Sequence, residues 1–259
     1  MPTAPVTITY IGGPTALIEI GGVRLLTDPT FDPGGSSYPT GAYTLEKSID
    51  PAVTLSDLGR IDAVLLSHDH HFDNLDRGGR ASLAHAERVL TTTAGAERLG
   101  PAAAGLAAWQ ETTIAAPNGK SLRVTATPAR HGPEGGDRGP VIGFVLTTDD
   151  DESGPVYVTG DTVWYEGIDE VSRRFPSTRI VVAFMGAAKV AVAGPDPLTL
   201  TAEDGIKVAR AFPNAVIAPV HFEGWAHFTE GKDEIDAAFR AAGFDKRLRW
   251  LKPGKPTAI

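Results

Sequence analysis

The stretch Ala63-Val64-Leu65-Leu66-Ser67-His68-Asp69-His70-His71-Phe72-Asp73-Asn74-Leu75-Asp76 decides how this chain is read. Its apolar start has the pattern of a short buried strand, and the polar run that follows holds three of the chain's seven histidines together with carboxylates. Imidazoles one residue apart face a single point only where the backbone bends, and a loop leaving a buried strand supplies such bends. A merely solvated loop needs no particular residue type and would draw on Gly, Ser, Lys and Glu before His. The stretch therefore reads as a site.

Working outward, β-branched runs at residues 6–11, 16–20, 23–27, 61–67, 88–92, 122–127, 141–147 and 156–159 read as strands. The Gly21-Gly22 pair suits a hairpin, and later strands alternate with helices, so mixed sheets are expected. Helices are predicted over 167–175, over 201–212 behind a Thr-Ala-Glu-Asp cap, and over 233–242, each followed by a strand, at 179–184, 215–220 and 248–251. Residues 32–56 and 132–140 read as long surface loops, 149–152 as a solvated turn, and His85 as a surface histidine in a helix-like stretch, 81–87. No repeat or Pro/Gly linker divides the chain, so its 259 residues are expected to form one domain.

Three single residues sit at other strand ends beside Gly or Pro: His131 before Gly132, Asp161 after Gly160, and His221 after Pro219-Val220. Each alone has an ordinary structural explanation. Together with the histidine stretch, they supply neutral imidazoles and carboxylates that form a nitrogen/oxygen site for divalent metal, and an Asp shared by two ions can bridge them. The chain has no cysteine, which removes thiolate zinc, iron–sulfur clusters, disulfides and thiol nucleophiles from consideration. A formal charge of −8 repels polyanions, so nucleic acid is not expected as a partner. Neither a membrane span nor a signal sequence is legible, and a cytoplasmic protein is expected. The G-x-S-x-G elbow, the phosphate loop and the dinucleotide turn are absent from the sequence.

The order and spacing of these residues resemble the metallo-β-lactamase superfamily of metal hydrolases, in which a His-x-His-x-Asp-His stretch after a strand precedes a His, an Asp and a last His. Within it, Leu26-Thr27-Asp28-Pro29, Ser67-His68-Asp69-His70, Thr159-Gly160-Asp161-Thr162 and Pro219-Val220-His221 are most similar to the L-ascorbate-6-phosphate lactonase-like branch. The resemblance implies a four-layer αββα sandwich, two mixed sheets face to face with helices outside. It implies metal ligands among His68, His70, His71, Asp73, His131, Asp161 and His221, and one or two ions, zinc or manganese. Asp28 would support the metal loop or serve a turn.

The chain departs from the family's stretch. One alignment keeps His68 and His70 and inserts a residue before Asp73; the other matches Asp69, His71, Asp73 and Asn74 to the four ligands. Either way Asn74 stands where the family has histidine, and an amide oxygen suits manganese or magnesium better than zinc. After His221, His227 reads as a general acid, a substrate contact or a structural histidine. Trp225 and Trp164 either line a pocket or pack in the core.

The function expected is a hydrolase in which metal-bound hydroxide, oriented by Asp73, attacks an ester-like bond in a small anionic or lactone substrate; lactone, phosphodiester and amide all remain open. The rival is a non-catalytic metal-binding or ligand-sensing protein of the same fold. Enzymes of this size are often symmetric, which leaves a homo-oligomer open.

Overall fold

Strands β1 (Thr7–Gly12), β2 (Thr15–Ile20) and β3 (Val23–Thr27) open the computed structural model as an antiparallel meander; it describes residues 6–136, 138–148 and 154–259. Gly21 and Gly22 join β2 to β3 with φ of 59° and 88°, a two-residue turn that glycine makes without strain and whose twist matches the strands. A small hairpin, β4 (Ser37–Pro39) with β5 (Thr44–Glu46), stands inside the segment expected to be irregular. Next come β6 (Ala63–Leu65), α1 (Arg77–Ser82), β7 (Val89–Thr92), α2 (Thr93–Leu99) and β8 (Ala103–Leu106), with β3, β6, β7 and β8 as parallel neighbours.

The second half forms its own mixed sheet. Strands β9 (Glu111–Ala115), β10 (Ser121–Pro128), β11 (Ile142–Thr148) and β12 (Val156–Val158) are antiparallel; β13 (Ile180–Phe184) and β14 (Val216–Val220) then add in parallel after α3 (Glu166–Arg174) and α4 (Ala202–Ala211). After α5 (Lys232–Ala241), β15 (Pro256–Ala258) returns to pair with β1. The orders are β15-β1-β2-β3-β6-β7-β8 and β14-β13-β12-β11-β10-β9.

Period-two alternation explains the layering. In β6, Ala63 and Leu65 enter a core shared with Val124, Phe144 and Tyr157 of the second sheet, while Val64 and the following Leu66 face an outer cluster with Leu58, Ile61 and Leu75. Ile168, Ile206 and Phe239 of α3, α4 and α5 close the other side. The result is the expected αββα arrangement. Thr201 caps α4 by accepting from Asp204 N at 3.0 Å, and Asp204 returns the bond to Thr201 N at 3.3 Å, as its sequence signature predicts.

Two expectations need correction. Residues 248–251 form no strand: Leu248 makes an isolated bridge to Ile217 and Arg249 N donates to Ile217 O, after which Pro253 lacks the N–H that a ladder requires. The stretch 81–87 is the end of α1 and a 3₁₀ turn, Leu83–His85, with His85 exposed. The turn read at 149–152 lies outside the described residues. Among the described residues no helix is long and apolar enough to cross a membrane.

Because β11 runs opposite to β10 and β12, and β12 to β14 are parallel, the C-termini of β10, β12 and β14 open at one edge of their sheet. The segments leaving β3 and β6 meet them there.

Candidate metal centre

Every histidine and carboxylate singled out as a ligand follows a strand end: His68 and His71 after β6, His131 after β10, Asp161 after β12 and His221 after β14. Donor atoms of His68, His70 and His71 lie within 4.8 Å of one another at the partly open side, and two buried sets do the same: His68, His131 and Asp161, and Asp73, Asp161 and His221. Asp161 belongs to both buried sets. His71 adds a third imidazole to the first of these two, its Nδ1 2.9 Å from Nε2 of His68 and 3.2 Å from Nε2 of His131. Nitrogen ligands around a tetrahedral ion stand about 3.3 Å apart, so these rings already have nearly that spacing.

Outer contacts determine which nitrogen each ring presents. Asp28 Oδ1 accepts from both Ser67 N and Ser67 Oγ, each at 2.8 Å. The single hydroxyl proton is thereby committed, so Ser67 Oγ accepts from His68 Nδ1 at 2.9 Å and the lone pair of His68 lies on Nε2, toward the other rings. His131 Nδ1 donates to the Leu198 carbonyl at 2.8 Å, which leaves its Nε2 lone pair 3.5 Å from Asp161 Oδ2. Asp28 and His221 both take positive φ, 27° and 58°, a conformation that costs side-chain-bearing residues on the order of 1–3 kcal/mol and recurs at functional sites.

The electrostatics suit a divalent cation. Both ring nitrogens of His221 and Oδ2 of Asp161 have no hydrogen-bond partner although the residues are wholly buried, and such orphaned atoms each cost about 1–3 kcal/mol. Burial holds the imidazoles neutral: His68 is well below the usual histidine range, His71 is lowered to about 3, His131 to about 4, and His221 is lowered as well. Burial pushes the Asp161 carboxyl well up, with the charges of Asp73 and Asp28 adding to it. Burial also opposes ionisation of Asp73, but the imidazoles of His227 and His221 outweigh it and hold that carboxyl well below its ordinary value. A cation takes the neutral lone pairs and offsets the crowded carboxylates at once, so these residues fit the group.

Residues 23–222 match the family model of the β-lactamase superfamily domain. The chain belongs to this superfamily. UPF0173 protein YddR of Bacillus subtilis (strain 168) is 27% identical over 258 residues, covering 93% of this chain and 95% of its own length. Among solved structures, an isothiocyanate hydrolase from Delia radicum gut bacteria superposes with a TM-score of 0.83 at 22% identity, covering 98% of this chain and 99% of that one. Igni18, a metallo hydrolase from the archaeon Ignicoccus hospitalis, gives a TM-score of 0.72 at 17% identity, with 99% of each chain covered. At these identities the structural likeness is one of fold.

Around this β-lactamase-superfamily centre, the structure sorts the remaining candidates. His71 faces His68 and His131, whereas His70 is exposed on the rim, its Nε2 2.9 Å from the Arg138 carbonyl. Asp69 turns away to Arg98, accepting from its Nε at 2.9 Å. His68 of one alignment and His71 of the other thus lie beside His131, and His70, whose donor atom groups with both of theirs within 4.8 Å, keeps its place among the candidate ligands. Asn74 Nδ2 donates to Asp161 Oδ1 at 3.1 Å. His227 Nε2 lies 3.0 Å from Asp73 Oδ2. Trp225 is packed among Tyr38, Leu45 and Leu198, and Trp164 rests against the main core, so neither lines the crevice at the centre.

That crevice is walled by Tyr43, Leu45, Leu198 and Arg138, and it adjoins a cleft of about 260 Å³ that Tyr43, Phe72 and Arg138 also line. Tyr43, Leu198 and Arg138 are not legible as functional in the sequence, because they come from irregular segments with no spacing to mark them, and Leu45 of β5 reads there as no more than an apolar residue. The roles of the Ser67 hydroxyl and the Leu198 carbonyl are equally silent, since each acts by where the fold places it.

Proposed function

We propose that the chain is a metal-dependent hydrolase that cleaves an ester-like bond in a small substrate. The observation that carries this reading is the pair of donor sets sharing Asp161, one dominated by imidazole and one by carboxylate. The first suits zinc and the second a harder ion such as manganese, which supports a centre of two unequal ions held by His68, His71, His131, Asp161, Asp73 and His221. A divalent ion held there would supply Lewis acidity and lower the pKa of a water toward about 7. Asp73, between His221 and His227, would be placed to orient a water and take up its proton, and His227, whose Nε2 lies 3.0 Å from Asp73 Oδ2, would hold a proton for the leaving group. Asn74 keeps Asp161 aimed between the two donor sets and is not itself a ligand in this reading. Lactones, phosphodiesters, amides and, by likeness to the fold neighbour, isothiocyanates are the substrate classes to try. A small-molecule substrate and a cytoplasmic setting are part of this proposal.

The test is turnover of these four classes before and after chelation, with metal analysis of the parent chain and Asp161→Ala. Activity should vanish with chelator and return with manganese at least as well as with zinc, and Asp161→Ala should lose at least one ion per chain. Bound metal without turnover of any class would move the reading to a ligand-sensing protein. An unchanged metal:protein ratio in Asp161→Ala would remove Asp161 from the centre.

A further inference from the structure

We propose that Arg138 forms an anion-binding subsite beside the metal centre, so that the ligand taken there joins a carboxylate or phosphate to an apolar or aromatic body; its role as a substrate subsite rests on the hydrolase reading. Arg138 is held by the site itself. Its backbone N donates to the His131 carbonyl at 2.7 Å, and its own carbonyl receives His70 Nε2 at 2.9 Å. Histidines on two different strand ends thus fix one residue of the loop after β10, which gives the rim position of His70 a purpose: it positions Arg138.

The side chain lines both the narrow crevice containing Asp73 and His71 and the neighbouring cleft of about 260 Å³. Among the described residues no carboxylate lines that cleft and Arg138 is its permanent charge, in a chain whose net charge is −8. Asp73, the carboxylate of the crevice, is engaged with His221 and His227. Among the described residues no side chain is bonded to the Arg138 guanidinium, whose planar donors match a carboxylate or phosphate in bidentate fashion. Tyr43 and Phe72 supply the apolar wall, and Phe72 is steadied by stacking on Tyr38 with ring centroids 4.8 Å apart. A cation and two rings around a small cleft select an anion with a flat apolar body.

The experiment measures equilibrium binding of benzoate, phenyl phosphate and neutral benzamide to the manganese-loaded protein by calorimetry, in the parent chain, Arg138→Gln and Arg138→Lys. Arg138→Gln should weaken both anions by about 10-fold or more and leave benzamide within about twofold, as expected for losing a charge-assisted contact. The ratio of benzoate to phenyl phosphate affinity in the parent chain identifies which anion the subsite takes. If Arg138→Gln does not fold, Arg138→Lys decides: weakened benzoate with unchanged benzamide supports the subsite, and unchanged benzoate overturns it. Equal binding of both anions by Arg138→Gln and the parent chain, a parallel loss of benzamide, or no binding of either anion to the parent chain would also overturn it. No turnover is read, so anion binding through Arg138 without hydrolysis of any class keeps the subsite and removes the hydrolase reading. Hydrolysis with anion binding indifferent to Arg138 does the reverse.

Discussion

A single hydroxyl proton organises the first donor set. Ser67 gives it to Asp28, so His68 must hold its own proton on Nδ1 and offer Nε2 inward; the Leu198 carbonyl imposes the same choice on His131. His71 completes the trio, while the outward ring of His70 bonds a backbone carbonyl. These placements predict unequal effects from neighbouring substitutions. His71→Ala should weaken metal binding roughly 100-fold, the scale of losing a ligand or its close support, whereas His70→Ala should weaken it less than about 10-fold. Competition with a metal indicator measures both, and the reverse order would exchange their roles.

At the scale of elements, one buried ion pair ties the loop that overhangs the centre to the helix behind it. Asp76 caps α1 by accepting from Gly79 N at 2.7 Å, and it also accepts from Phe31 N at 2.9 Å, Asp32 N at 2.8 Å and Lys47 Nζ at 3.0 Å. Lys47 and Asp76 are buried, and burial outweighs the attraction of Asp76 in lowering the pKa of Lys47. Lys47 lies just past β5, so the pair anchors the hairpin next to Tyr43 and Leu45 of the crevice wall. Gly79 is required at this junction because a Cβ there would lie 1.7 Å from the Pro29 carbonyl oxygen. Asp76→Ala strands a buried ammonium and frees three backbone donors, so it should cost about 3–5 kcal/mol in urea unfolding. A loss below about 1 kcal/mol would show that water replaces the carboxylate and that the loop is not anchored this way.

For the whole molecule, the centre sets how stability of the metal-free chain responds to pH. Four buried imidazoles, His68, His71, His131 and His221, titrate below their ordinary value of about 6.5. As pH falls through 6.5, the unfolded chain takes protons that the folded chain refuses, so stability declines toward pH 4. Two carboxyls act oppositely: burial raises Asp28 to about 8 and Asp161 well above its usual range. The folded chain holds those protons where the unfolded chain has lost them, so stability also declines as pH rises from about 6.5 to 8. Between pH 4 and 6.5 the four imidazoles outnumber the two carboxyls, which leaves a maximum near pH 6.5. Urea midpoints of the chelated protein at pH 5, 6.5 and 8.5 test this, and a monotonic trend would refute it. Bound metal should remove the Asp161 share of the alkaline decline, because a cation keeps that carboxyl ionised, and leave the share of Asp28.

How much of this was legible in the sequence follows from the range of each interaction. Alternation in β6, the Gly21-Gly22 turn and the Thr201 cap are local, so the strands, the hairpin and α4 could be read directly. The identity of the donor residues was equally local, since His and Asp at strand ends beside Gly or Pro carry their chemistry with them. Three things depended on segments far apart in the chain. Whether His70 or His71 turns inward follows from how the loop after β6 packs against His131, 60 residues away from His71, which supplies the neighbouring Nε2. Trp225 went to the core because the β4–β5 hairpin brought Tyr38 and Leu45 over it. Arg138 came to the cleft because, beyond its local bond to His131 in the same loop, its carbonyl meets His70 only once the two sheets have packed and the loop after β6 lies against the loop after β10. Local propensity and donor chemistry were written in the sequence; the direction in which each side chain faces was decided by the tertiary packing that places one loop against another.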